Sequence, residues 1–428
     1  MLREYCNLPR VLDVRVRPSS VLRTPYGRLI LIGLGGLFFG VTGPLLSTFI
    51  PALVRDALGD RRTLIGIVMA IDNVLLLVLV PWAGAASDRS SSAGRGRLPL
   101  ALAALVLASA GMAIFPWSPA FGIAGLIGAM VVLYSGINLF RSPFQALIAD
   151  IVPSRFRSLA TGSVTFQMCV GAIAFLMMGR ILGMHLAFVT AAAAVLGIAV
   201  AFRAGIRETA LSESHAAHAT YRSLLEAVLS AVRGAVPGLR EIFIAVLLLQ
   251  LTFQSFTTWY ALHATERFGI RPEDVTVGFI AWAIGGVIGA LPAGMIGVRL
   301  GRRNAMLLGF ALMGGTLAAL DRVTELRHAI PLLALASASW TLPSVNAYPL
   351  FVEPIPHRQR GVLAALFLLA MAFGGAFGDP LNGGLFDLFS SYRPLFLLMA
   401  VYTALAFVAV LFVPRGAGEA DSGADVRG

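Results

Sequence analysis

The sequence predicts an all-α membrane protein with twelve transmembrane helices, arranged in two six-helix halves related by pseudo-symmetry. Three observations support this prediction: an apolar composition, a regular series of apolar runs, and polar motifs that repeat between the halves. Of the 428 residues, 57% are hydrophobic and 13% are charged, and the mean hydropathy is +0.82. Soluble domains carry about 25% charged residues. The bilayer must therefore be the solvent for most of this chain.

Twelve apolar runs have the length of a membrane crossing, which takes about 20 residues. They cover residues 28–51, 64–86, 98–115, 120–149, 158–179, 182–202, 240–262, 275–297, 302–320, 329–350, 360–379 and 392–413. The longest polar stretch separates the first six runs from the last six. The predicted domains are an N-terminal tail (1–27), a first six-helix bundle (28–202), a linker (203–239), a second bundle (240–413) and a C-terminal tail (414–428).

The basic residues predict how the bundle is oriented in the membrane. All 33 of them are Arg, the net charge is +11, and nearly all lie in the tails or between apolar runs. With the N-terminus in the cytoplasm, most Arg residues fall on the cytoplasmic side, as the positive-inside rule requires. We therefore expect an inner-membrane protein with both termini cytoplasmic, no cleaved signal peptide and no role in binding nucleic acid.

Neither the cysteines nor the histidines form a metal-binding pattern. Cys6 lies in the tail and Cys169 in an apolar run, so they offer neither a disulfide framework nor a zinc spacing. His215 and His218 of the linker lack supporting ligands. The short polar segments contain no glycine-rich phosphate-binding loop and no catalytic set of side chains. The sequence therefore predicts no cofactor, no metal and no enzymatic activity.

Two loop motifs repeat between the halves. The segment after the second run reads GAASDRSSSAGRGR (84–97), and the segment after the eighth reads GMIGVRLGRR (294–303). The segment DIVPSRFR (150–157) likewise matches EPIPHRQR (353–360) in its first residue, an acid, in the Pro at its fourth position and in both Arg residues. Two matches in register predict homologous halves, with a substrate site between them near the midplane.

These motifs resemble the major facilitator superfamily, whose signature is a Gly, then Asp-Arg, then Gly-Arg-Arg. The fuller pattern over 87–99, together with 141–150 and 391–396, resembles the sucrose and glycoside branch, which includes the glycoside-pentoside-hexuronide and melanosomal solute carriers. Three positions depart from it: Gly96 replaces a third Arg, Gln145 stands where plant sucrose carriers have Arg, and Val298 replaces an Asp. The resemblance implies transport by alternating access.

The resemblance also implies a gate that holds the halves together on the cytoplasmic side. Acids at helix ends can cap neighbouring helices, and Arg residues can link adjacent ends. The positive-inside rule alone would explain these Arg residues, but not the acids beside them. The predicted gate consists of Gly84, Asp88, Arg89, Gly94, Arg95, Arg97, Asp150, Arg155, Arg157, Arg299, Gly301, Arg302, Glu353, Arg358 and Arg360.

Asp72 is the predicted proton or cation coupling residue. It lies within an apolar run, roughly 24 Å from the cytoplasmic end of the second span by helical rise. Ionisable residues inside a membrane are costly and mark functional sites. An acid in apolar surroundings can take up and release a proton near neutral pH. The alternative is a structural Asp that pairs with an Arg such as Arg141, or that accepts a hydrogen bond from a neighbouring helix.

Polar side chains at helical spacing predict a substrate pathway. On the fourth span Asn138, Arg141 and Gln145 share a face, and on the seventh Gln250 and Gln254 do so. Amides and aromatic rings suit sugar recognition, although the same residues also serve as contacts between helices. The pathway candidates are completed by Asn73, Gln167, Trp259, Trp340 and Asn346.

Trp259 could instead mark the membrane interface. Asp387 is interpreted as a solvated loop charge, and Asp379 is left out of the candidate site.

Two functions are consistent with these features. The first is proton-coupled symport of a sugar or glycoside, which the branch-like motifs favour. The alternative is proton-driven export of drugs or amphiphilic metabolites, which the apolar spans permit. The expected partners are a small-molecule substrate, a coupled proton and the lipid bilayer. Because two halves of one chain already make a complete transporter, we expect it to function as a monomer.

Overall fold

The computed structural model describes residues 25–152, 157–206, 238–271, 274–352 and 360–414. This part of the chain forms twelve long helices: α1 Pro25–Leu58, α2 Arg62–Ser92, α3 Leu98–Ile114, α4 Gly122–Ile151, α5 157–182, α6 184–205, α7 Leu239–Phe268, α8 Thr276–Leu300, α9 Arg302–Arg322, α10 Leu326–Val352, α11 Arg360–Phe389 and α12 Leu395–Leu411. The predicted class, an all-helical membrane bundle of twelve spans, is confirmed. Both predicted tails before residue 25 and after 414, and the linker from 207 to 237, lie outside the described residues.

Two continuous helical stretches each contain two spans. Leu98–Ile148 and Ala160–Gly205 are 51 and 46 residues long, whereas one crossing takes about 20. The first breaks at the 3-10 segment Phe115–Phe121. The second breaks at Gly183, whose φ of 75° is a left-handed conformation that glycine adopts without steric cost. These breaks produce the helix pairs α3–α4 and α5–α6 that the sequence predicted.

Equivalent helices pack closely in the two halves. In the first half, Gly36 and Gly40 of α1 lie against the backbone of α5 at Val164 and Met168. In the second half, the corresponding pair is α7 and α11, where Gly374 lies against the backbone of Leu247. Small residues let membrane helices approach until their backbones touch. The pseudo-symmetry that the loop motifs predicted is thus present in the packing.

Helices α2 and α11 join the two halves. They run antiparallel, with Gly66 against the backbone of Asp379, Gly383 against that of Arg62, and Gly375 against the side chain of Asn73. We name the two ends of the bundle after residues that lie there. The Arg97 face carries the described chain ends, and the Asp387 face is opposite. The α2–α11 contact extends from the Asp387 face toward the middle of the bundle.

Replacing Gly66 by Ala should weaken closure of the Asp387 face, because the new methyl group would collide with the backbone of Asp379. Overpacking of this kind costs about 1–3 kcal/mol. Spin labels at Trp117→Cys and Arg327→Cys would measure it by double electron–electron resonance, in a chain carrying Cys6→Ser and Cys169→Ser. Both label sites are exposed and lie at the Asp387 face on opposite halves.

We expect the label distance to lengthen in Gly66→Ala and to stay unchanged in Gly197→Ala. Gly197 is an equally helical glycine with open space beside it, so both variants gain the same helix propensity. An unchanged distance in Gly66→Ala would show that the α2–α11 contact does not control closure.

Candidate functional site

Arg97 organises the predicted gate in the first half. Its Nε donates a hydrogen bond to Asp150 Oδ2 at 2.6 Å, a second nitrogen contacts the Asp88 carboxylate, and a third contact reaches Ser87 Oγ at 3.3 Å. Burial opposes the charge on Arg97, but the carboxylates of Asp88 and Asp150 raise its pKa above the ordinary value. The guanidinium therefore stays charged and links the Arg97-face ends of α2, α3 and α4.

Other gate candidates of the first half surround this cluster. Gly84 of α2 lies beside Ser142 of α4, where a Cβ would come within 2.8 Å of the hydroxyl. Arg89, Gly94 and Arg95 are exposed. Gly94 has a φ of 73° and ends the turn after α2. Of the signature residues, Asp88 and Arg97 thus make the contacts described here, while Arg89 and Arg95 face solvent.

In the equivalent loop of the second half, the Arg residue that links neighbouring helices is Arg303. Arg299 and Gly301 are exposed, and Arg302 begins α9. Arg303 donates to the backbone oxygens of Val413 and Leu411 at 2.8 and 2.7 Å, which ties α9 to the end of α12. Of the remaining gate candidates, Arg155, Glu353 and Arg358 lie outside the described residues, as do the side chains of Arg157 and Arg360.

Asp72 lies near the middle of α2 and is only partly buried. Asn138 of α4 donates a hydrogen bond from Nδ2 to its Oδ1 at 2.9 Å. Arg141, also on α4, interacts with Asp72 electrostatically, and its guanidinium carbon lies 5.5 Å from the centroid of the Phe39 ring. The predicted acid is thus beside the two polar side chains that the sequence placed on one face of α4.

Asp379 is a membrane-embedded acid that the sequence analysis left out. Its side chain is fully buried, and Gln254 of α7 donates to its Oδ2 at 3.0 Å. Its Oδ1 has no hydrogen-bond partner in the described part of the chain. The eleventh run was predicted to end at 379, but α11 continues to Phe389. The apolar residues before Asp379 were the sequence signal for a buried position.

Asp387 is not a solvated loop charge. It lies in the last turns of α11 and accepts hydrogen bonds from the backbone nitrogens of Arg62 and Thr63, at 3.0 and 2.8 Å. The carboxylate of one half therefore caps the first turn of α2 in the other half. A second contact between halves at this face joins Arg180 and Asp274 at 3.4 Å.

Most amides of the predicted substrate pathway make contacts within the protein. Asn138 binds the partly buried Asp72, and Gln254 binds the buried Asp379. Gln167 donates to the backbone oxygen of Ile30 at 2.9 Å, and Asn346 donates to those of Ala293 and Leu342 at 3.1 and 2.9 Å. Asn73 is buried against Gly375. These contacts favour the alternative that the amides join helices.

The remaining pathway candidates differ in exposure. Gln145 is exposed, and Gln250 is partly buried beside Gly374. Trp259 is fully buried, with its ring 5.1 Å from that of Phe386. A side chain so enclosed by α7 and α11 contacts neither solvent nor lipid headgroups.

One aromatic contact in each half joins the first helix of that half to the fourth. Phe39 and Phe253 lie at the same distance from the starts of α1 and α7. Each faces a partly exposed side chain on the fourth helix of its half: Phe39 faces Arg141, and Phe253 stacks on Trp340 at 4.9 Å with a 24° interplanar angle. The structure therefore places Arg141 beside Phe39 and Asp72 in the first half, and Gln254 beside the buried Asp379 in the second half.

Comparison with known proteins identifies the family. A family model described as Major Facilitator Superfamily matches residues 30–320 and 242–426. The chain belongs to this superfamily. It is therefore a multi-pass membrane transporter and not an enzyme, and such transporters bind small-molecule substrates.

Relatives of this transporter are found among both sequences and structures. The class G tetracycline resistance protein of Vibrio anguillarum is 26% identical over 330 residues, covering 74% of this chain and 79% of that protein. The class B protein of Escherichia coli is 24% identical over 364 residues, covering 81% and 84%. The structure of a D-xylose-proton symporter has a TM-score of 0.69 and 17% identity, covering 92% of this chain and 99% of that chain. The last similarity shows the fold alone.

Proposed function

We propose that this transporter is a proton-driven exporter of flat amphiphilic compounds. The observation that supports this best is the contact between the first and the fourth helix of each half, Phe39 with Arg141 and Phe253 with Trp340. Aromatic rings and a guanidinium plane provide stacking surfaces for a flat molecule. Ligand sites are mostly apolar, with few polar groups to fix orientation. Arg141 and the nearby Asp72 supply such groups here.

The amides argue against a sugar as substrate. A sugar needs many hydrogen bonds from the protein, and a buried polar group without a partner costs about 1–3 kcal/mol. Four of the pathway amides already donate hydrogen bonds to other parts of the chain. They are Asn138, Gln167, Gln254 and Asn346. A sugar would have to break these contacts before it could use them.

The sequence relatives also support export over uptake. Both are named as tetracycline resistance proteins and align over most of this chain. Tetracycline is a flat compound with polar edges, and a membrane transporter can give resistance to such a compound by moving it out of the cell. Uptake of a sugar would not do so.

Proton-coupled sugar or glycoside symport remains the alternative. It rests on the resemblance of residues 87–99 to the sucrose and glycoside branch, and on the amides of Gln145, which is exposed, and Gln250, which is partly buried. In either case we propose that Asp72 carries the coupled proton. We also propose that the Arg97 face is cytoplasmic, that the membrane is the inner membrane, and that the protein acts as a monomer.

Proton movement in proteoliposomes would separate the two functions. Vesicles would be loaded at acid pH with an interior pH dye and exposed to tetracycline or to other flat aromatic amphiphiles. An exporter of this kind exchanges compound for proton, so the interior should become more alkaline when the compound is added. D-xylose and sucrose should give no response. Interior acidification on adding a sugar, in vesicles without a gradient, would instead establish symport.

Trp340→Ala tests the proposed lining in the same assay. Losing the stacking surface should raise the half-maximal tetracycline concentration by about tenfold, since aromatic contacts contribute about 0.5–1.5 kcal/mol. Trp82→Ala is the matched control, because Trp82 is exposed on the outside of α2. Equal responses of both variants would place the substrate away from α10.

A further inference from the structure

Two aspartates from opposite halves lie about one helical turn apart along the α2–α11 contact. Gly66 of α2 lies opposite Asp379, and Asn73 lies opposite Gly375 of α11. This register places the Cα of Asp72 about one helical turn, or ~5 Å, deeper in the bundle than that of Asp379. Side chains tilt toward the N-terminus of their helix. Because the helices are antiparallel, the two carboxyl groups lean toward each other, and they interact electrostatically.

The groups around this pair supply one positive charge. From α4, Arg141 interacts with Asp72, Asn138 donates to it, and the buried Tyr134 interacts electrostatically with both acids. The α7 residues beside Asp379 include Gln254 and are uncharged. Among the described residues, the cationic side chain that interacts with the pair is Arg141.

One guanidinium can balance one carboxylate, but not two. A second negative charge in this buried contact would be uncompensated, and two like charges at close range in a low-dielectric site do not both ionise. Asp379 also has an oxygen, Oδ1, without a hydrogen-bond partner among the described residues. A protonated carboxyl avoids the cost of leaving a full negative charge there.

We propose that Asp72 and Asp379 hold one proton jointly while the Asp387 face is closed, and that losing this proton separates α2 from α11 at that face. The proposal rests on the proton coupling proposed above and adds Asp379 to it. The proton leaves through the partly exposed Asp72 to water, and the pair then carries two negative charges against one guanidinium. Repulsion across the contact opens the face.

This order of events produces exchange of proton for substrate. A proton bound from the external side closes the Asp387 face and is carried toward the cytoplasm. Release of the proton to the cytoplasm lets the Asp387 face reopen. A substrate that has bound near Arg141 before the face reopens would then be carried out of the cell. The acid pair thus makes closure of the external side depend on proton load, with no contact between substrate and Asp379.

The spin labels at positions 117 and 327 test proton-dependent closure without substrate or a pH gradient. Their outcome is therefore independent of the export assay. In wild type, the ratio of long to short distances should rise by up to about tenfold per pH unit between pH 5.5 and 8.5, because one proton is released on opening. Asp379→Asn should keep the short distance throughout, since an amide cannot ionise. Asp379→Glu should restore the pH response.

Three results would overturn the proposal: no pH response in wild type, a wild-type response in Asp379→Asn, or a return of the short distance at pH 8.5 when sodium chloride replaces choline chloride. The last would make sodium the shared ligand. If Asp379→Asn does not fold, Asp72→Asn removes the same repulsion and should likewise hold the short distance at high pH.

Discussion

Asp72→Asn should abolish proton movement coupled to substrate, reducing it to the level of vesicles without protein. Asp72 is the membrane-embedded acid nearest to both Asn138 and Arg141, and its partial exposure gives a proton access to water. An amide keeps the size of the side chain and can still hydrogen-bond to Asn138, but it cannot exchange a proton. The measurement is the interior pH change on adding tetracycline to acid-loaded proteoliposomes.

Binding of labelled compound at equal pH on both sides separates a coupling defect from a folding defect. Asp72→Asn should still bind the compound from the side opposite the closed Asp387 face, and Asp72→Glu should retain part of the coupled movement. Asp321→Asn, at the end of α9, is the control for removing a carboxylate elsewhere. Coupled movement at the wild-type rate in Asp72→Asn would assign the proton to another group.

Asp387→Asn should open the Asp387 face at every pH. The carboxylate accepts two backbone hydrogen bonds at the start of α2, where a helix N-terminus favours negative charge. Asn keeps one acceptor oxygen but loses the charge, which contributes about 0.3–1 kcal/mol near a helix N-terminus, and this shifts the ratio of open to closed states by about 2- to 5-fold. The 117/327 label pair should report a larger long-distance population, and export should slow because the closed state is less populated.

The matched control is Asp56→Asn. Asp56 lies near the same face at the end of α1 but pairs with Arg55 in solvent, and exposed pairs contribute about 0–1 kcal/mol. Label distances in Asp387→Asn that match those of Asp56→Asn would mean that the cap does not hold the halves together. A response confined to high pH would instead tie Asp387 to the proton-dependent step.

The charged loop motifs illustrate what a repeat predicts well. The signature over 84–97 predicted a cluster at one end of the bundle, and Asp88, Arg97 and Asp150 do lie together there. The spacing could not show that Arg97, and not Arg89 or Arg95, would be the buried member. That choice depends on which side chain faces α4 once α2 and α3 have packed.

The polar residues inside the spans show where prediction from sequence ended. Helical spacing placed Asn138 and Arg141 on one face, and both lie near Asp72. The same spacing gave no partner for Gln254, which binds Asp379 of a helix more than a hundred residues away. Asp379 itself was left out because it lies at the predicted end of the eleventh apolar run, whereas α11 continues to Phe389.

The sequence by itself determined the solvent of this protein, the number of its spans, its two-fold repeat and the family to which it belongs. These properties depend on composition, on local periodicity and on short motifs, all of which can be read from the sequence without knowing which helices pack together. Only the tertiary structure decided that Asp72 and Asp379 lie on the two helices that join the halves, that Asp387 caps α2, and that most pathway amides are already paired. Each of these contacts joins helices that are distant in the chain, and their register is set by packing of small residues such as Gly66 and Gly375, which apolar periodicity does not encode.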